Sequence, residues 1–202
     1  MPKLVTACAL VALLLVGLAA YRPLTEALAP YPDLAELGAP ASACRPEQTR
    51  PAEGNAVHVP RGTRLTYPTA PPAYGPHWNE PGVAPALGRT FYTAADRPEL
   101  EALVHNLEHG YTLLWYDDTV DEDVARAIGA AFEPADKVIV APWTAADEAR
   151  SGRFPAGTHA AMTHWSADQR GVFAYCAAPS GAALARFLDA HPIADSPEPG
   201  AP

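Results

Sequence analysis

The chain is poor in cysteine and methionine and has no basic run. Its 202 residues include three Cys and two Met, and 14 Lys+Arg stand against 23 Asp+Glu, a formal net charge of −9. Without a Lys/Arg cluster nothing neutralises phosphates, which argues against nucleic acid as a partner. No two cysteines are spaced CxxC, so neither a dithiol redox centre nor a two-Cys metal site fits. No serine lies in a GxSxG context and no reactive cysteine is placed beside a histidine, so nucleophilic catalysis lacks its parts. A phosphate-cradling glycine loop and an internal repeat are also missing.

What is present begins with an uncharged apolar run at residues 4–21, directly after Lys3. Its length just suffices to span a bilayer, and it is long for the core of a signal peptide. We therefore expect residues 1–21 to be a transmembrane anchor. The other reading is a cleaved signal peptide, with Gly17-Leu18-Ala19 as a passable cleavage site. Lys3 favours an inside N-terminus, which places the folded part outside the cytoplasm at the cell membrane. Residues 22–51 are rich in Pro and Ala and read as a stalk, with one helical turn around Leu34–Leu37. Cys8 lies within the apolar run. Cys44 and Cys176 remain, an even pair in an oxidising compartment. They form either a disulfide or two free thiols. A disulfide closing so long a loop contributes ~4–5 kcal/mol in the chain-entropy model.

The most legible stretch is residues 98–116. Leu100, Leu103, Val104 and Leu107 have helical spacing. Asp96 is placed to cap the helix, with Glu99 three residues later and Pro98 in the first turn. Gly110 is the expected stop, and residues 111–116 follow as a strand. At 100° per residue, His105, Glu108 and His109 share the face away from the apolar stripe.

Elsewhere, residues 55–60 read as a short strand. Residues 67–78 hold four prolines and a glycine after Tyr67, so they form a stiff loop that is neither helix nor central strand. A helix is expected at 121–132, a buried strand at 137–141, a polar loop at 147–155, strands at 158–166 and 171–175, and a helix at 180–191. Residues 192–202 read as a disordered tail. This order implies an α+β domain at 52–191, a mixed sheet with helices packed on it. The thioredoxin-like arrangement has the same order of elements.

His58-Val-Pro, Pro71-Pro72-Ala-Tyr74-Gly75-Pro76-His77, Val104-His105-Asn106-Leu-Glu108-His109-Gly110 and Met162-Thr-His-Trp165 together resemble the DUF3105 family. The resemblance covers about residues 52–190, and its PPxxGPH and VHNLEHG motifs are specific when both occur in order. It implies a membrane-anchored bacterial protein of uncharacterised function, with Cys44 and Cys176 where the family carries them. The family's AWGR-like run is replaced by Thr163-His164-Trp165-Ser166-Ala167, so no role for that arginine transfers.

Three chemistries compete. The first is a Cu or Zn site built from His77, His105 and His109, with His58 as a fourth ligand, Glu108 and Tyr74 in support and Met162 as a soft donor. Its rival is a buried imidazole–carboxylate cluster that merely pins the loop to the helix. The second is a zinc hydrolase, since His105-Asn-Leu-Glu108-His109 matches HxxEH. It needs a further downstream ligand, for which Glu148 is the nearby candidate. The third is a non-catalytic envelope module, in which Trp78, Phe91, Tyr92, Trp115, Trp143 and Trp165 line a groove or form the core. His159 and His164 are expected at the surface, and His191 at a helix C-terminus.

Overall fold

The computed structural model describes residues 31–52, 57–80 and 86–201. Among these no helix is long and apolar enough to cross a membrane. The expected anchor and the first part of the expected stalk lie outside the described residues. From Leu34 onward the chain forms one unit.

In chain order that unit contains β1 (Gln48–Pro51), β2 (His58–Val59), β3 (His77–Trp78), α1 (Leu100–Glu108), β4 (Thr112–Tyr116) and α2 (Glu122–Gly129). There follow β5 (Val138–Pro142), α3 (Ala145–Ser151), β6 (Ala160–Ser166), β7 (Arg170–Cys176) and α4 (Gly181–Ala190). Five strands make a mixed sheet in the order β1-β7-β6-β4-β5, antiparallel throughout except for β4 beside β5. That parallel pair needs a crossover, which α2 supplies by packing on β5. The α+β class and mixed sheet agree with the sequence.

Alternation along the strands decides what α1 meets. Leu113, Trp115, Ile139, Ala141, Ala161, Trp165, Phe173 and Tyr175 project to one side and join Leu100, Leu103, Val104 and Leu107 of α1 in one buried cluster. Tyr67, Ala70, Ala73 and Tyr74 of the proline-rich loop belong to the same cluster. The loop therefore covers α1, and all nine residues of that helix are buried, its polar face included. Gly171 makes this possible, because a Cβ there would sit 2.3 Å from the Tyr74 ring. The Trp and Tyr residues proposed for a groove are core: Trp78, Tyr92, Trp115, Trp143 and Trp165 are all buried, which removes the basis for that groove.

Several local expectations need correction. The helix starts at Leu100 with Glu99 at its N-cap, and Asp96 instead accepts the Thr93 N–H in the preceding turn. Residues 145–151 are a helix rather than a polar loop, because Thr144 and Asp147 form a capping box. Part of the expected stalk is the edge strand β1, paired with β7, and Leu34 is buried. Cys44 and Cys176 are disulfide-bonded, 132 residues apart.

The last residues, expected to be disordered, are packed as a strap across the end of α1. His164 Nε2 donates to the Asp195 carbonyl, the Glu198 N–H donates to the Glu108 carbonyl at 2.9 Å, and Lys137 Nζ donates to the Ala201 carbonyl at 2.8 Å. These backbone bonds leave no mark on composition. Gly110 takes φ +87° as a helix stop should, but it also makes room for the strap: a Cβ there would lie 2.7 Å from the Ile193 carbonyl oxygen.

Candidate metal centre

The two-residue ladder between β2 and β3 is parallel and sets His58 directly beside His77. In-register neighbours on adjacent strands project to the same side, so both imidazoles point together. The loop leading into β3 is tied down on the way: Tyr67 O–H donates to the Pro76 carbonyl at 2.7 Å and the Trp78 indole N–H to the Thr63 carbonyl at 2.9 Å. Burial first, then the nearby Glu101 carboxylate, pushes the Tyr67 pKa up, so it stays a donor.

Upstream of the motif histidines, α1 is held by a second node. Glu101 is fully buried; it accepts the Leu65 N–H at 2.8 Å and pairs with Arg150 of α3. Asn106, between the two motif histidines, clamps Ala86 by accepting its N–H at 2.8 Å and donating to its carbonyl at 2.7 Å. The sequence reading missed both roles. Asparagine inside a helix was an available signal, because its side chain competes with the helical backbone and needs a reason to be there. For Glu101 the chain offers no local signal.

Where loop and helix meet, the His77 and His105 rings stack at 4.7 Å between centroids, and His58 lies edge-on to His77 at 4.8 Å. Glu108 Oε2 lies 2.9 Å from His77 Nε2 and 3.4 Å from His58 Nε2. Ligand atoms of His58, His77, His105 and Glu108 all fall within 4.8 Å of one another. Thus the structure brings together His58, His77, His105 and Glu108 from three separate elements.

The hydrogen bonds decide which nitrogen of His77 faces the other ligands. His77 Nδ1 donates to the Gly75 carbonyl at 2.9 Å. The other ring nitrogen, Nε2, is buried and faces Glu108 Oε2 at 2.9 Å. A backbone carbonyl holding the far ring nitrogen is the usual support of a metal-ligating histidine. His105 Nδ1 is buried without a hydrogen-bond partner. Burial first, then the His77 and His109 imidazoles, pushes the His105 pKa down to about 4, which keeps this ring neutral at pH 7. For Glu108, burial pulls upward, but the bonds from His77 and His58 outweigh it and the net shift is down, so it is ionised. Neutral imidazole and carboxylate are the ligand forms. His58 is the exposed member, its side chain 39% accessible, and it marks the way in from solvent.

A model of the family described as a protein of unknown function, DUF3105, matches residues 58–202. The chain belongs to the DUF3105 family. No curated protein and no solved structure matches it.

Within this DUF3105 domain the remaining candidates fall elsewhere. His109 Nε2 is 3.0 Å from His105 Nε2, but its ligand-forming group is a different one, with Glu108 and Glu198. Met162 lies on the face of β6 opposite Trp165, by the two-residue period of a strand. Since it is Trp165 that meets the His77 ring, at 6.1 Å, Met162 is not brought to the centre. Tyr74 supports indirectly: its ring packs on Trp165 at 6.3 Å. Glu148, the HxxEH candidate ligand, pairs with Arg153 at 3.0 Å on α3. His164 is buried rather than on the surface, bonded to Thr112 Oγ1. His159 pairs with Asp117 at 2.8 Å, and His191, the C-cap of α4, with Glu47 at 3.0 Å.

Proposed function

We propose that this domain binds a transition metal ion, Zn(II) or Cu(II), through His58, His77 and His105 with Glu108. The observation that carries the reading is the His77 ring: its Nδ1–H is spent on a backbone carbonyl while its Nε2 is buried among other ligand atoms. Three imidazoles and a carboxylate are a borderline donor set that suits Zn or Cu(II). With Met162 elsewhere, no thioether among the described residues favours Cu(I). A hydrolase of the HxxEH type has less support, because Glu108 Oε2 already faces two imidazoles rather than standing free as a general base.

The rival is a purely structural cluster in which His77 is an imidazolium paired with Glu108, favoured by their 2.9 Å separation. Metal analysis and calorimetric titration of the purified full chain separate the two. Stoichiometric Zn or Cu that is lost in His77→Ala and His105→Ala, with the fold retained by circular dichroism, supports the site. Folded protein indifferent to both ions, with a doubly protonated His77 in nitrogen-15 NMR, establishes the structural cluster instead.

The wider setting is part of the same proposal. The apolar run at residues 4–21 and the disulfide support a membrane-anchored domain on the extracytoplasmic side. The run β4-α2-β5-α3-β6-β7-α4, with β4 and β5 parallel and β6 and β7 antiparallel, supports a thioredoxin-like core lacking the redox cysteines. Protease accessibility in intact cells tests the placement, and protection of the domain from external protease overturns it.

A further inference from the structure

Glu108 belongs to two ligand groups. One is the centre just described; the other joins Glu108 to His109 and Glu198, again with all ligand atoms within 4.8 Å. Glu198 comes from the C-terminal strap, ninety residues beyond Glu108 in the chain. We propose that Glu198 completes a second cation position with His109 and Glu108, so that Glu108 bridges two divalent transition-metal ions. This rests on the metal-binding reading of the first position and extends it.

The strap is placed by bonds that need no metal. The Glu198 N–H donates to the Glu108 carbonyl at 2.9 Å, which seats its backbone on the last turn of α1. Lys137 Nζ donates to the His109 carbonyl at 2.8 Å and, on the strap, to the Ala201 carbonyl at 2.8 Å, joining the two partners from below. Upstream, Ser196 is buried and donates to the Ile193 carbonyl at 3.0 Å. A ligand carried on a segment fixed in this way loses little freedom when it coordinates. The Glu198 carboxylate already lies 3.6 Å from His109 Nε2, too far for a good hydrogen bond and close to the spacing of two donors on one ion.

The first group engages Glu108 through Oε2, which faces His58 and His77. A carboxylate can give one oxygen to each of two ions, and paired metal sites lie about 3.5–4 Å apart. His105 and His109 form the other link between the positions, their Nε2 atoms 3.0 Å apart. The second position has one imidazole and two carboxylates, a harder donor set than the first, and should take Zn(II) more weakly.

The test is a count of Zn(II) bound by the full chain after chelator stripping, by calorimetry and elemental analysis, in wild type and Glu198→Gln. Glu198 is about half exposed, so the substitution spares the core. The expected result is two equivalents in wild type, and in the variant one, with the tighter equivalent unchanged. One equivalent in both proteins overturns the second position and leaves the first standing. Loss of both equivalents in a folded variant also overturns it, since Glu198 then serves the first position. No Zn(II) in wild type removes both.

Discussion

Glu101 is the sharpest place to perturb the scaffold. It is fully buried, accepts the Leu65 N–H at 2.8 Å and pairs with Arg150, which itself donates from Nη2 to the Leu65 carbonyl at 2.7 Å. One carboxylate thus joins α1, α3 and the start of the loop that ends in His77. Glu101→Ala leaves the Arg150 charge without its partner and the Leu65 N–H without its acceptor. Breaking a buried pair from one side costs ~3–5 kcal/mol, or roughly two to four orders of magnitude in the folded-to-unfolded ratio. Glu101→Gln keeps an acceptor for Leu65 and loses only the charge, so its cost should be smaller. Arg150→Ala strands the carboxylate and should cost as much as Glu101→Ala. The pair replaced together by Leu and Met should cost less than either single change, because no buried charge is left behind. Equilibrium urea titration followed by tryptophan fluorescence reads all four, since every tryptophan is buried. Single-variant costs below ~1 kcal/mol, or a double variant equal to the sum of the singles, would refute the reasoning.

Gly171→Ala puts a Cβ 2.3 Å from the Tyr74 ring and should cost ~1–3 kcal/mol as overpacking, with the loss reduced in a Tyr74→Leu background; equal losses in both backgrounds argue against the contact. Replacing Cys44 and Cys176 by Ser opens a 132-residue separation and should cost ~5 kcal/mol in the chain-entropy model, seen as a lower urea midpoint with an unchanged fold. Acid should destabilise the metal-free protein. Folding depresses the His105 pKa from 6.5 to about 4 and lowers that of His164, so the unfolded chain binds the extra protons and stability is lost as pH falls through this window. Glu108, lowered from 4.5, adds a loss below that value. Urea midpoints measured from pH 7.5 to 4 check the sign, and a midpoint that rises on acidification contradicts it.

Some of the centre was legible because it is written locally. The apolar stripe of α1, Gly110 at its end and the two histidines four residues apart all lie within three helical turns, where periodicity reports geometry directly. The prolines before His77 marked a stiff loop, available as a cover for the polar side of α1 if that side was not solvated. Other features were hidden for a common reason. The two-residue strands β2 and β3 are too short to show a period, so their pairing could not be read. Short polar α3 showed no apolar stripe, and its capping box at Thr144 and Asp147 passed for a loop. The strap is held by backbone carbonyls, and any residue type supplies those.

The chain's own order of residues determined the helix that presents His105 and Glu108, and the presence of an even cysteine pair. Only the folded arrangement decided that His58 stands beside His77, that Met162 turns away, and that His109 faces Glu198 across the strap. The difference is one of range. A spacing of three or four residues fixes two side chains on one helix face, whereas bringing together residues fifty or ninety positions apart depends on which segment covers which, and that is set by packing of the whole core.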